Sequence, residues 1–309
     1  MRARLSPGWV LAAALAGISF AGPLVSLSRA TPLAIAAWRL TFSLFIVAAA
    51  LVLTAEWRQW RRFTARDTLF SLGAGLCLAL HFWAWNASIQ MTTIAASVTL
   101  VSLQPAVIVA ISALFLAESP TRRQLAGIAI AIAGAIVIAS PGMSTAAGML
   151  ENRALFGNLL AISAAITAGI YYTIGRHLRA RFGIWAYVGP VYLVCTIALV
   201  AAALLRGDPL VPQPRREYAI FAGLALGPML LGHTGMNWAL KYLPAYVVNL
   251  VVLGEPIGAT VLGALIPGIA QIPSVMTLVG GSIVLAGVVI AAGGTVSAAR
   301  NSKEGAKDQ

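Results

Sequence analysis

Glu255, Arg39, His81 and His233 each lie inside a long apolar stretch of this 309-residue chain. A charged or titratable group in such surroundings is costly, so it is paired, wetted, protonated or put to use. Glu255 stands about eleven residues into its run, immediately before Pro256, near the middle of any membrane-spanning helix built there. A carboxyl group at that depth could carry a proton or meet a substrate, and a hydrogen bond to a neighbouring helix is the competing account. Arg39 lies about seven residues into its run, roughly 10 Å below the surface at 1.5 Å per residue, from where it can snorkel upward or bond carbonyls. The polar neighbours are spaced for a helix. His81, Trp85 and Ser88 fall within an arc of about 60°, with Asn86 on an adjacent face beside Phe82. His233 and Asn237 are four apart and share a face, as do Tyr246 and Asn249 at three apart. Tyr171 and Tyr172 stand where a substrate wall and an interfacial aromatic belt would both put them. Gln104 precedes Pro105, and Pro105 and Pro256 each take the donor away from a carbonyl one turn earlier. Those carbonyls either contact a substrate or permit a bend. For the whole set, lining a cavity and hydrogen-bonding between helices are the two open readings.

No catalytic constellation accompanies these groups. The chain has no G-x-S-x-G elbow, no H-E-x-x-H pair, no phosphate-cradling glycine loop and no paired carboxylates within its apolar runs. An enzyme working inside a membrane needs a nucleophile beside a base, so that reading ranks last. His81, His177 and His233 are far apart, and Cys77 and Cys195 have no neighbours at metal-ligand spacing. Two free thiols, no metal and no cofactor are expected.

Composition identifies the solvent around these residues. Hydrophobic residues make up 60% of the chain, charged ones 10%, and the mean hydropathy is +0.87, against about 25% charged in a soluble domain. A bilayer needs about 20 apolar residues per helix. Ten candidate spans follow, at about 8–27, 32–54, 68–89, 93–116, 121–140, 154–175, 184–205, 218–240, 244–267 and 273–293. The first begins near Gly8, continues into Pro23 and offers no convincing cleavage site, so it is expected to remain as a span. The sizeable polar stretches are 56–67, 142–153 and 206–217, and residues 294–309 read as a frayed charged tail. The net charge of +12 sits in short basic clusters between spans, which points to lipid headgroups and away from nucleic acid. With the N-terminus inside, the inner segments hold fifteen Lys and Arg residues and the outer ones five. A multi-pass protein of the inner (plasma) membrane with both termini cytoplasmic is expected.

The same pattern is written twice. Asn86 and Asn237 each stand nineteen residues before a proline, Pro105 and Pro256. Pro120, Leu125, Gly127 and Gly134 find counterparts in Pro273, Leu278, Gly280 and Gly287. Two units follow, 1–150 and 151–293. Five spans is an odd number, so the second unit must enter the membrane from the opposite side. The expected fold is therefore all-α and integral to the membrane, with ten helices as two inverted five-helix repeats. Such halves can exchange inward-open and outward-open roles, the basis of alternating access. The last span of each unit is rich in Gly and Ala and is expected to pack closely without lining a path.

Trp38-Arg39-Leu40, the run from Asn86 through Pro105 and Glu118-Ser119-Pro120-Thr121 to Gly134, and the second run from Asn237 through Glu255-Pro256 to Gly287 together resemble the EamA family of the drug/metabolite transporter superfamily. Glu118 departs from the repeat, because Gln271-Ile272-Pro273 stands at the corresponding place. Ser119 as a helix cap and Pro120 at the first helical position account for that junction. The resemblance implies a secondary transporter of a small organic metabolite, most plausibly an exporter of an amino acid or related compound. A channel-like facilitator and a multidrug or toxic-cation exporter are the alternatives, and a homodimer is left open. His81, Trp85, Asn86, Tyr171, His233, Asn237, Asn249 and Glu255 are the expected substrate contacts. Arg39, Gln104, Pro105 and Pro256 are expected to serve structure or coupling.

Overall fold

The structure, a computed structural model, describes residues 6–115, 121–139, 149–243 and 245–305, with backbone alone at 112–115, 124, 139, 149–151, 246 and 292–305. The described residues are helical, without a strand. In order they form α1 (Pro7–Ser19), α2 (Ala21–Leu27), α3 (Pro32–Leu53), a 3-10 turn (Glu56–Arg62), α4 (Ala65–Met91), α5 (Ile94–Val101), α6 (Gln104–Phe115), α7 (Arg122–Ala139), α8 (Met149–Arg179) and α9 (Ile184–Arg206). There follow α10 (Arg215–Leu224), a π-helical segment (Ala225–Thr234), α11 (Gly235–Ala239), α12 (Ala245–Leu250), a 3-10 turn (Val251–Gly254), α13 (Glu255–Leu265) and α14 (Val275–Gly305).

Eight stretches are long and apolar enough to cross a membrane: Pro7–Leu27, Pro32–Leu53, Ala65–Met91, Ile94–Ile111, Asn152–Arg179, Ile184–Arg206, Arg215–Ala239 and Val247–Leu265. The remaining two expected spans correspond to the shorter apolar stretches Leu125–Ile138 and Val275–Ala291, so by length eight qualify among the described residues, not ten. Helix α14 runs on to Gly305, past the residue where a frayed tail was expected to begin. The Glu118–Pro120 junction lies outside the described residues.

Local sequence explains where these helices start and break. Thr31 caps α3 by accepting from the Ala34 N–H at 3.3 Å, with Pro32 in the first turn, where its missing donor is not needed. Thr64 and Asp67 form a reciprocal capping box on α4, at 3.2 and 2.9 Å. In the middle of two spans the chain restarts at a proline. Pro105 is the second residue of α6 and Pro256 the second of α13, because a helix approaching either one loses its next donor. The turns that precede them face each other, with the Ser102 hydroxyl 3.4 Å from the Val252 carbonyl. A third span widens to π-helix around Pro228, a feature that regular helical spacing does not anticipate.

Close packing uses glycine. A Cβ on Gly134 would lie 2.6 Å from the Val284 nitrogen and 2.7 Å from the Gly280 oxygen, and one on Gly127 would meet the Gly287 oxygen at 2.6 Å. Helices α7 and α14 therefore run antiparallel in backbone contact. Gly127 corresponds to Gly280 and Gly134 to Gly287, so exchanging equivalents turns one contact into the other, as a twofold axis between the halves requires.

Each end of the bundle is tied across the halves. At one end Glu56 Oε2 accepts from the Trp185 and Ala186 N–H groups at 2.8 and 3.0 Å, which places an anion on the N-terminus of α9, and Arg181 pairs with Asp67 at 2.6 Å. At the other end the Ser28 hydroxyl donates to Glu217 at 2.5 Å, and the Ile94 N–H donates to Gln271 at 3.0 Å.

Candidate functional site

Between these two ends lies a small polar cavity. It is lined by Ile18, Ala21, Arg39, His81, Trp85, Val101 and Gln104 from the first half and by Tyr172, His233, Met236, Val252 and Glu255 from the second. Its free space for a water-sized sphere is about 20 Å³, enough for roughly one water and no metabolite. Two roomier hollows, of about 670 Å³ beside Trp57 and Trp60 and about 410 Å³ beside Trp83, have almost wholly apolar walls. The central cavity differs from them in carrying an acid and two imidazoles beside its arginine.

Its wall is a column of rings. Trp85 stacks on His81 with centroids 6.4 Å apart and planes at 3°, His81 meets His233 edge-on at 5.8 Å, and His233 stacks against Tyr172 at 6.2 Å and 7°. The His81 Nδ1 lies 3.0 Å from the Ala164 carbonyl oxygen. A carbonyl only accepts, so Nδ1 carries a proton and points away from the cavity's free groups. Tyr172 Oη and His233 Nδ1 share a hydrogen bond of 3.1 Å. Arg39 does not snorkel to the surface: it is 0% exposed, with its guanidinium 4.2 Å over the Phe82 ring.

Gln104 and Glu255 occupy corresponding positions, each directly before its proline (255 − 104 = 151, the offset that relates Pro105 to Pro256). The restart of each helix thus aims one amide and one acid at the same space. Val101 and Val252 stand one turn ahead of those prolines and also line it. The two prolines could have pointed to both valines.

The structure gathers Arg39, His81, Trp85, Gln104, His233 and Glu255 on the cavity and leaves four other expected contacts off it. Asn86 donates to the Pro32 carbonyl at 3.2 Å, and Asn249 donates back to Ala245 at 2.9 Å. Asn237 donates to Tyr171 Oη at 2.5 Å and to the His233 carbonyl at 2.7 Å. Asn237, four residues after His233, is spent on these two bonds and does not reach the cavity. Tyr171 is buried in that bond, which removes the interfacial-belt reading, and its neighbour Tyr172 lines the cavity.

A polar pocket between two similar halves of an apolar helical bundle is the architecture of a membrane transporter. The chain belongs to the EamA-like transporter family, whose profile matches residues 8–140 and again 155–293. It is 24% identical over 285 residues to an uncharacterized transporter of Archaeoglobus fulgidus, covering 89% of this chain and 93% of that one. It is 27% identical over 199 residues to a probable terminal-alkyne amino-acid exporter of Streptantibioticus cattleyicolor, covering 62% of this chain and 61% of that protein. A solved crystal structure shares the fold at a TM-score of 0.66, with 18% identity over 94% of this chain and 97% of the other.

Proposed function

We propose that this protein is a secondary carrier that exports a small organic metabolite of the amino-acid class by alternating access. The observation that carries the reading is the walling of one polar cavity by both family matches, seven residues from the first and five from the second. A site at the seam of two halves can be exposed to either side by rocking one half against the other. The substrate class draws on the relative described as a probable exporter of a terminal-alkyne amino acid. In this reading ten helices cross the inner membrane as two inverted repeats, and the antiparallel glycine contacts of α7 and α14 support the inversion. The fifteen-to-five distribution of basic residues supports cytoplasmic termini.

Counterflow into liposomes carrying the purified protein tests the proposal, with the twenty standard L-amino acids and L-propargylglycine as probes. A carrier shows exchange that is stimulated from the opposite side and saturates with substrate. Flux without such stimulation marks a pore, and chemical conversion of the probe marks an enzyme.

A further inference from the structure

Five polar atoms on three cavity residues have no hydrogen-bond partner: Arg39 Nε, Nη1 and Nη2, Trp85 Nε1 and Gln104 Oε1. Buried polar groups are normally satisfied, and a fully buried guanidinium without a single acceptor is the most costly of these vacancies. The Phe82 ring beneath it offsets part of that cost but accepts no hydrogen bond. Glu255 lines the same cavity, yet the two side chains do not close into an ion pair; among the described residues the ion pairs join Arg181 to Asp67 and Arg216 to Glu217. An arginine from one half and an acid from the other therefore face a common space without pairing.

The unmet chemistry is sorted. Spare donors sit on Arg39 and Trp85, while spare acceptors sit on Gln104 Oε1 and the Glu255 carboxylate, at corresponding places before the two prolines. Ile18, Val101, Val252 and Met236 supply apolar wall between them. We infer that the cavity is a zwitterion subsite for an α-amino acid: the Arg39 fork takes the carboxylate and Glu255 with Gln104 takes the ammonium. This rests on the carrier reading. A carboxylate matches a guanidinium edge in two parallel bonds. A molecule with one of the two charges leaves the other protein charge buried and unpaired, which is a strong ground for rejection. Because Arg39 and Glu255 belong to different halves, the zwitterion also joins the halves around itself, and the cavity must widen from its present volume to admit it.

The test uses wild-type protein in liposomes, with protein-free liposomes subtracted. Two probe sets each share one side chain: L-leucine, 3-methylbutylamine and 4-methylpentanoate; and L-phenylalanine, 2-phenylethylamine and 3-phenylpropionate. In counterflow at least one amino acid should exchange, with its amine and acid analogues slower by about tenfold or more. Arg39→Gln should lower exchange of that amino acid by a similar factor, with Arg39→Lys intermediate. Glu255→Gln should raise its KM while narrowing the preference over the acid analogue. An amine or acid that exchanges as fast as the zwitterion in the wild type overturns the subsite and leaves the carrier standing, and folding of a variant plays no part in that result. Exchange confined to other solutes, such as tetraphenylphosphonium, does the same. Wild-type exchange in Arg39→Gln overturns the assignment to Arg39. Absence of stimulation from the opposite side removes the carrier reading itself.

Discussion

Trp85 brings two separable things to the cavity wall: an indole face stacked on His81 and an indole N–H without an acceptor. Trp85→Phe keeps most of the face and loses the donor, whereas Trp85→Ala loses both. A neutral hydrogen bond is worth about 1 kcal/mol and an aromatic contact a similar amount. Trp85→Phe should therefore slow counterflow by roughly fivefold and Trp85→Ala by more than about tenfold, with both variants reaching the membrane at wild-type levels. A Trp85→Ala protein that exchanges at the wild-type rate takes the indole out of the site. At this scale Arg39, His81, Trp85, Gln104, His233 and Glu255 are conspicuous in the sequence as polar groups in apolar runs, although Arg39 and Gln104 were expected to serve structure or coupling and not to line a cavity. The sequence did not separate Tyr172 from Tyr171, or His233 from Asn237. Those distinctions depend on which neighbouring helix offers a partner, as Tyr171 does for Asn237.

Among elements, eight of the ten spans expected from hydropathy are long enough to cross a membrane among the described residues, and the chain restarts at two prolines, ahead of α6 and α13. The widening at 225–234 had no comparable marker, since Pro228 stays inside the helix and Pro190 stays inside α9 without breaking it. The Gly and Ala content of the last span in each half did announce close packing. The contact of α7 with α14 makes this testable, because the two nearest atoms facing Gly134 belong to the backbone of α14 and cannot swing aside. Overpacking in a filled interface costs about 1–3 kcal/mol even where side chains can yield. Gly134→Ile should therefore lower the thermal midpoint of the detergent-purified protein by several degrees. Gly223→Ala, whose nearest neighbour would be Leu24 at 3.5 Å, should leave the midpoint within about a degree, helped by alanine's better helix propensity. Equal midpoints for Gly134→Ile and the wild type would show that the two helices are not held at backbone contact.

At the scale of the whole molecule, the duplication was readable from the spacing of asparagines, prolines and glycines, but the conformational state was not. Closure depends on pairs distant in sequence, such as Ser28 with Glu217 and Asp67 with Arg181, which no local pattern brings together. Both ends are tied across the halves while the cavity between them holds about one water's worth of space, so the described state is closed around its centre. If exchange proceeds by opening the ends in turn, each tie must break once per cycle, and holding either one shut must stop turnover. Cysteine pairs at 28 and 217, or at 67 and 181, can be joined by a short reducible bis-maleimide in a Cys77→Ala, Cys195→Ala background, where the native thiols are gone. Either cross-link alone should abolish counterflow, and reduction should restore it to the rate of the uncross-linked variant. A single cysteine at either position, treated the same way, should keep its rate. Quantitative cross-linking at one end with undiminished exchange would mean that this end never opens, and a carrier working by alternation between two gates could not be built on this chain.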